Sequence, residues 1–235
     1  MRILDGKVIL DGADISHWQG HDFDISGLDF VIIKATEGIT FNDEMFLENI
    51  NRALAAGKCV GAYHFARPEN NSAVEEARHF VDVVMPYVGN CLLALDWEGV
   101  AWNYPISWAK EWLDEVYRLT GVRPVIYANR SKVHLLQSIL DGNYGLWVAR
   151  WRTGEVLTQN EYIADKDYGD ISPYPFAAIW QYWNRPYDKD VFYGDTDTWQ
   201  KYCNSDVGKD VVNPIPTAKC DCTICRALRN AGIIE

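Results

Sequence analysis

The sequence contains no apolar run approaching the roughly 20 residues that a bilayer-crossing helix needs, so no membrane-inserted segment is expected. Its opening, MRILDGKVILDG, lacks a continuous apolar stretch followed by a small-residue cleavage site. With no secretory signal visible, the chain as written is expected to stay in the cytosol where it is made. Positive charge is scarce: 22 Lys and Arg face 33 Asp and Glu, a formal net charge of −11. Nucleic acid and anionic membrane surfaces attract a surplus of cations, so neither is expected as a partner. The zinc-binding pattern HExxH and the nucleophile elbow GxSxG are both missing, which leaves metallohydrolase and serine-hydrolase chemistry without an anchor. No internal repeat or low-complexity segment is present.

What the chain has in plenty is aromatic surface, with 10 Trp and 13 Tyr in 235 residues. Flat rings with polar edges stack on sugar faces and hydrogen-bond hydroxyls, but they also fill cores. Trp108 and Trp112, four apart, suit a buried helix face. Hydrophobic residues at 48% and charged residues at 23% are ordinary globular usage, and the length suits one main domain.

Short β-rich runs alternate with helical patterns, the signature of strand-helix-strand units around a parallel sheet or barrel. Strands are predicted at 12–16, 30–35, 59–65, 91–98, 124–129, 146–151 and 177–183, with a weaker eighth near 190–197. A helix following Asp43 carries Phe46, Ile50, Ala53 and Leu54 on one stripe and stops at Gly57. Ser72 and Glu75 form a capping box for a second helix. A third is bounded by Pro105 and Gly121, and a fourth spans about 131–140. Beyond residue 145 the helical pattern fades, so loops are expected to join the last strands and the barrel to be irregular. The catalytic domain is predicted over 1–203 and a Cys-containing extension over 204–235, where NPIPT resembles a linker and CRALRNAGIIE a short helix.

Side chains alternate along a strand, so in LLALDWEG the residues Ala94, Asp96 and Glu98 share one face and Leu93, Leu95 and Trp97 the other. The two acids lie at the strand's C-terminal end, where barrel enzymes build their sites. Close carboxylates drive their proton affinities apart, so one serves as acid while the other stays charged, the division of labour that glycoside cleavage needs. Asp14 and Ser16 end the first strand, and Lys34, Thr36 and Glu37 follow the second onto the same rim. Tyr63, Tyr127, Trp151 and Gln181 end further strands as candidate sugar contacts, each with barrel packing as the alternative. His64 is expected to be structural, and His17, His21, His79 and His134 hydrated. Cys59 and Cys91 are expected to be buried thiols. CDCTIC supplies Cys220, Cys222 and Cys225, which with Cys203 have a spacing able to hold a structural zinc. No standard finger fits, and reduced thiols or a disulfide remain open.

Together DGADISHWQG (11–20), VIIKATEGITFND (31–43), GAYHFARP (61–68), LLALDWEG (92–99), LWVARW (146–151) and IWQYW (179–183) resemble the glycoside hydrolase family 25 lysozymes, the Chalaropsis-type muramidases. The resemblance runs from about Asp14 to about Trp199. It implies an irregular TIM-like (β/α)5(β)3 barrel that needs no cofactor and hydrolyses the β-1,4 bond between N-acetylmuramic acid and N-acetylglucosamine in bacterial peptidoglycan. Glu98 matches the family's general acid/base, Asp96 its electrostatic partner, and Asp14 its first-strand rim acid. Asp197 in GDTDTW is taken as the last-strand acid, with Asp195 competing. Trp151 stands where a Tyr is common. A monomeric phage endolysin, reaching the wall after release, is the expected setting. A noncatalytic wall-binding module and a hydrolase of chitin-like polymers are the alternatives.

Overall fold

The computed structural model describes residues 1–4, 7–151 and 168–204. Eight strands close into a barrel: β2 (Lys7–Ile15), β3 (Phe30–Glu37), β5 (Cys59–Phe65), β6 (Cys91–Asp96), β7 (Val125–Asn129), β8 (Gly145–Ala149), β9 (Ile179–Asn184) and β10 (Asp188–Phe192). Two short strands, β1 (Arg2–Leu4) and β4 (Phe41–Asn42), extend β2 and β3 at the edges. Neighbours pair in parallel from β2 to β9. β10 runs the other way, antiparallel to both β9 and β2, and closes the barrel. This is the irregular α/β barrel that the strand pattern implies.

The periodicity of two sorts the side chains into an interior and an outer layer. Inward-facing Ile32, Leu92, Ala94, Val125 and Ile179 fill the barrel, while outward-facing Ile33, Leu93, Leu95 and Ile126 pack under the helices. Gly12 is required by that filling, because a Cβ there would lie 2.5 Å from the Phe30 ring.

Helices α1 (Phe46–Ala55), α2 (Ala73–Val84) and α3 (Ile106–Thr120) follow β3, β5 and β6. The sequence punctuation acts as expected. Ser72 and Glu75 form a reciprocal capping box, and Gly121 closes α3 at a left-handed φ of 71°, a conformation that costs glycine little. The fourth helical segment is split into a 3-10 turn over Arg130–Leu135 and a short α4 (Gln137–Asp141). The described part of the β8–β9 connection, residues 168–178, is loop and turn, and β9 and β10 form a tight hairpin.

The eighth strand departs most from expectation, ending at Phe192 rather than near 197. Asp195 instead caps a helix, α5 (Thr196–Cys203), its carboxylate accepting from the Thr198 N–H at 2.8 Å. That helix carries Trp199 under the barrel, with its ring 4.8 Å from Phe30 and 5.0 Å from Phe192. The N-terminal end of the barrel is thereby plugged. Cys203 is buried in the same cluster, so it belongs to the barrel base rather than to the tail, while Cys220, Cys222 and Cys225 lie outside the described residues. Among the described residues no cluster of His, Cys, Asp or Glu is arranged to hold a metal, and no helix is long and apolar enough to cross a membrane.

Candidate active site

The opposite end of the barrel is an open cleft of about 370 Å³, and its walls are largely the strand ends singled out in the sequence. Asp14, Ser16, Lys34, Tyr63, Asp96, Glu98, Tyr127, Trp151 and Gln181 all line it. Glu37 does not. It turns behind Lys34, whose Nζ it accepts at 2.6 Å, and receives Nε of Arg67 at 2.7 Å on its other oxygen. These two cations hold the Glu37 carboxyl below its ordinary pKa against the opposing effect of burial. Lys34 is thus pinned in the mouth, 4.9 Å from the centre of the Phe65 ring.

Asp96 ends β6 and is buried, and Glu98 follows in extended backbone, φ −141°, so both acids face the cleft. Between them Trp97 points outward, fully buried and stacked on Trp108 at 5.5 Å. A bulky indole locked in the outer layer fixes the facing of the residues on either side. The Asp96 Oδ1 atom is buried without a hydrogen-bond partner. Burial, then the charges of Glu98 and Asp14, push the Asp96 carboxyl well above its ordinary range, with Lys34 opposing. Glu98 is raised too, by burial and by Asp188, again with Lys34 opposing. Two interacting acids titrate as a pair, and this pair holds one proton far above the usual carboxylate pH.

Gln181 fastens the far wall. Its carbonyl accepts from Tyr127 Oη at 3.0 Å and from Trp151 Nε1 at 2.9 Å, and its amide donates to Asp14 Oδ2 at 2.7 Å. Three residues expected as sugar contacts are therefore also one hydrogen-bonded frame around Asp14. Burial and the Asp188 charge lift Asp14 to about 7 despite the Gln181 hydrogen bond.

The last-strand acid is not Asp197, which lies exposed in the first turn of α5, nor Asp195, which caps that helix. Because β10 is antiparallel to its neighbours, its beginning, not its end, reaches the C-terminal rim. Asp188 stands there and lines the cleft, its carboxyl raised by burial to about 6. Strand periodicity could have found it only if the direction of β10 had been known. Sequence reasoning also passed over Trp18, which stands on the rim 82% exposed, and Trp147 and Asn184 in the wall.

Three of the five histidines are held in the fold, while His21 and His134 are exposed. His64 is buried on the outer face between Thr36 Oγ1 and Glu76 Oε2, each at 2.7 Å. His17 and His79, expected to be hydrated, are instead tied down, the first to Asp43 and the second to Gly38 O and Asn42 Oδ1. A water-accessible cleft with paired raised carboxylates, one lysine and several aromatic edges can donate a proton to a leaving oxygen and stabilise adjacent positive charge.

A family profile described as Glycosyl hydrolases family 25 matches residues 13–191. The N,O-diacetylmuramidase of a Chalaropsis species is 30% identical over 172 residues, covering 66% of this chain and 77% of that protein. Coverage of curated relatives is uneven, and one of them is aligned over 26% of its length. A muramidase from Acremonium alcalophilum superposes with a TM-score of 0.67 at 28% identity, covering 84% of this chain and 100% of its own. The CTP1L endolysin superposes with a TM-score of 0.56 at 25% identity, over 82% of this chain and 68% of its own.

Proposed function

The chain belongs to glycosyl hydrolase family 25, and on that premise we propose that it cleaves the β-1,4 bond between N-acetylmuramic acid and N-acetylglucosamine in bacterial peptidoglycan. The observation that carries the reading is the Asp96–Glu98 pair at the cleft, with an Asp96 oxygen left open to a donor. Glu98, the more exposed of the two, protonates the leaving oxygen. Asp96 accepts the N–H of the substrate's acetamido group and turns its carbonyl oxygen toward the anomeric carbon. That oxygen bonds the anomeric carbon as the glycosidic bond breaks, and water deprotonated by Glu98 then displaces it and restores the acetamido group, giving net retention, a course outside the two-carboxylate rule.

The electrostatics fit this division. Before substrate binds, the buried Asp96 competes strongly for the pair's proton. A hydrogen bond donated to Asp96 favours its charged form, so an arriving acetamido N–H sends the proton to Glu98. Substrate thus arms its own acid. Asp14, framed by Gln181, and Asp188 add negative charge where an oxocarbenium-like centre develops. Lys34, Tyr63, Tyr127 and Trp151 supply polar edges and ring surface for the glycan.

The likeness to an endolysin supports action on the wall as a lytic enzyme, and a single barrel with its own closed core supports a monomer. Incubation with peptidoglycan should release fragments whose new reducing ends, by mass spectrometry, are muramic acid. Glucosamine ends, cleavage confined to chitin oligomers, or wall binding without new ends would each overturn the proposal.

A further inference from the structure

One acid in the barrel is left unused by this reaction. Asp190 lies one inward-facing position below Asp188 on β10, paired with Gln181 on β9 and Gly12 on β2. It does not reach the cleft and is 0% exposed. Its Oδ1 accepts from Trp147 Nε1 at 2.8 Å, while its Oδ2 is buried with no donor. The side chain it meets on the cleft side is Asp14, carboxyl against carboxyl.

We propose that Asp190 is a positioning residue that carries a proton and donates it in a hydrogen bond to Asp14, holding that carboxylate toward the cleft. The inference rests on the proposed reaction for its consequence, but its geometry is independent of it. Ionised carboxylates only accept hydrogen bonds, so two of them in contact need a proton between them. Among the described residues no other donor is at hand. Gln181 has its carbonyl engaged by Tyr127 and Trp151, which turns its amide to Asp14. Trp147 already serves Oδ1. Among the described residues Asp188 and Tyr182 also act on or with Asp190 from its own and the adjacent strand, and neither is a cation. Lys34, the cation of the mouth, is bound to Glu37. A buried carboxylate with one hydrogen bond and no counter-ion keeps its proton. Of the two partners Asp190 is the more deeply enclosed, and the proton resides there.

Asp14 consequently receives two donors from fixed neighbours, the Gln181 amide and the Asp190 hydroxyl. A carboxylate so held does not need to reorient as charge develops on the sugar.

Infrared difference spectroscopy of the purified protein tests the proton directly. Because the Asp96–Glu98 pair holds a proton of its own, the measurement is made in Asp96→Asn/Glu98→Gln, where a protonated-carboxyl C=O band should persist above the titration of Asp14 and be absent once Asp190→Asn is added. In turnover, Asp190→Ala should lower kcat on the order of 10- to 100-fold, the worth of a hydrogen bond to a charged group, with KM little changed. Asp190→Asn, which offers an N–H to Asp14 and a carbonyl to Trp147, should recover most of that loss. The proposal is overturned if the band survives the addition of Asp190→Asn to that background, or if a folded Asp190→Asn with the catalytic pair intact is as slow as Asp190→Ala. Should the wild-type protein release no reducing ends, the reaction reading fails while the infrared result still decides the proton.

Discussion

At the scale of single residues, the site is a concentration of acid with little to neutralise it. If Glu98 is the proton donor, Glu98→Gln should lower kcat by on the order of 10² to 10⁴ while leaving the affinity for peptidoglycan fragments near wild type. A loss of binding equal to the loss of rate would argue for a role in attachment instead. The same crowding sets a stability signature. Asp14 and Asp188 hold protons to about 7 and about 6, against an ordinary value of 3.8. Between those limits the folded state binds more protons than the unfolded chain, so stability falls as pH rises. It is greatest below about pH 4 on this account, and is lost progressively through pH 7. Melting temperatures measured from pH 4 to 7 should decline for the wild type and decline less for Asp188→Asn. Asp96 and Glu98 could be read from sequence because one strand of known direction carries both, with Leu93, Leu95 and Trp97 marking the opposite face. Asp188 and Asp190 could not. Their meaning depends on which way β10 runs, a fact settled by pairing with β2 across the whole length of the chain.

At the scale of elements, caps and plugs do the specifying. The Ser72–Glu75 box is local chemistry, legible from three-residue spacing, and Ser72→Ala should cost about 1 kcal/mol. Denaturant titration would show it as a lower midpoint at unchanged slope. GDTDTW shows the opposite case: two acids near an expected strand suggested catalysis, whereas Asp195 serves the N–H of Thr198. The Asp-x-x-Thr arrangement is a helix-start signal that a search for active-site acids overlooked. What that helix does is tertiary, since Trp199 matters only because Phe30 and Phe192 lie above it. Trp199→Ala should destabilise by about 3 to 5 kcal/mol through the cavity left at the base. The cleft is at the other end, so turnover of the fraction that remains folded should be nearly unchanged.

At the scale of the whole molecule, the barrel is complete within the described residues, with the family match ending at 191 and the plugging helix at Cys203. We propose that the catalytic domain is a folding unit and that residues 205–235 are an appendage. A chain ending at Asn204 should melt in one cooperative transition and retain turnover. Loss of the transition would place the extension within the fold. The alternation of strands and helices made the barrel legible from the start, because each βα unit declares itself within a few tens of residues. The closure did not, since it is made by residues drawn from opposite ends of the sequence.

That closure also constrains when the enzyme can exist during its own synthesis. β2 waits for a partner that the ribosome delivers more than 170 residues later, as Gly12 pairs with Asp190, and contacts of such separation form slowly. While β10 is still in the exit tunnel, Asp14 has neither Gln181 nor Asp190 around it, and the base of the barrel stands open. Glu98 emerges early, but a nascent chain carrying it has no finished cleft. Hydrolytic competence therefore arrives with the emergence of β10 and α5, as a single late event rather than by degrees.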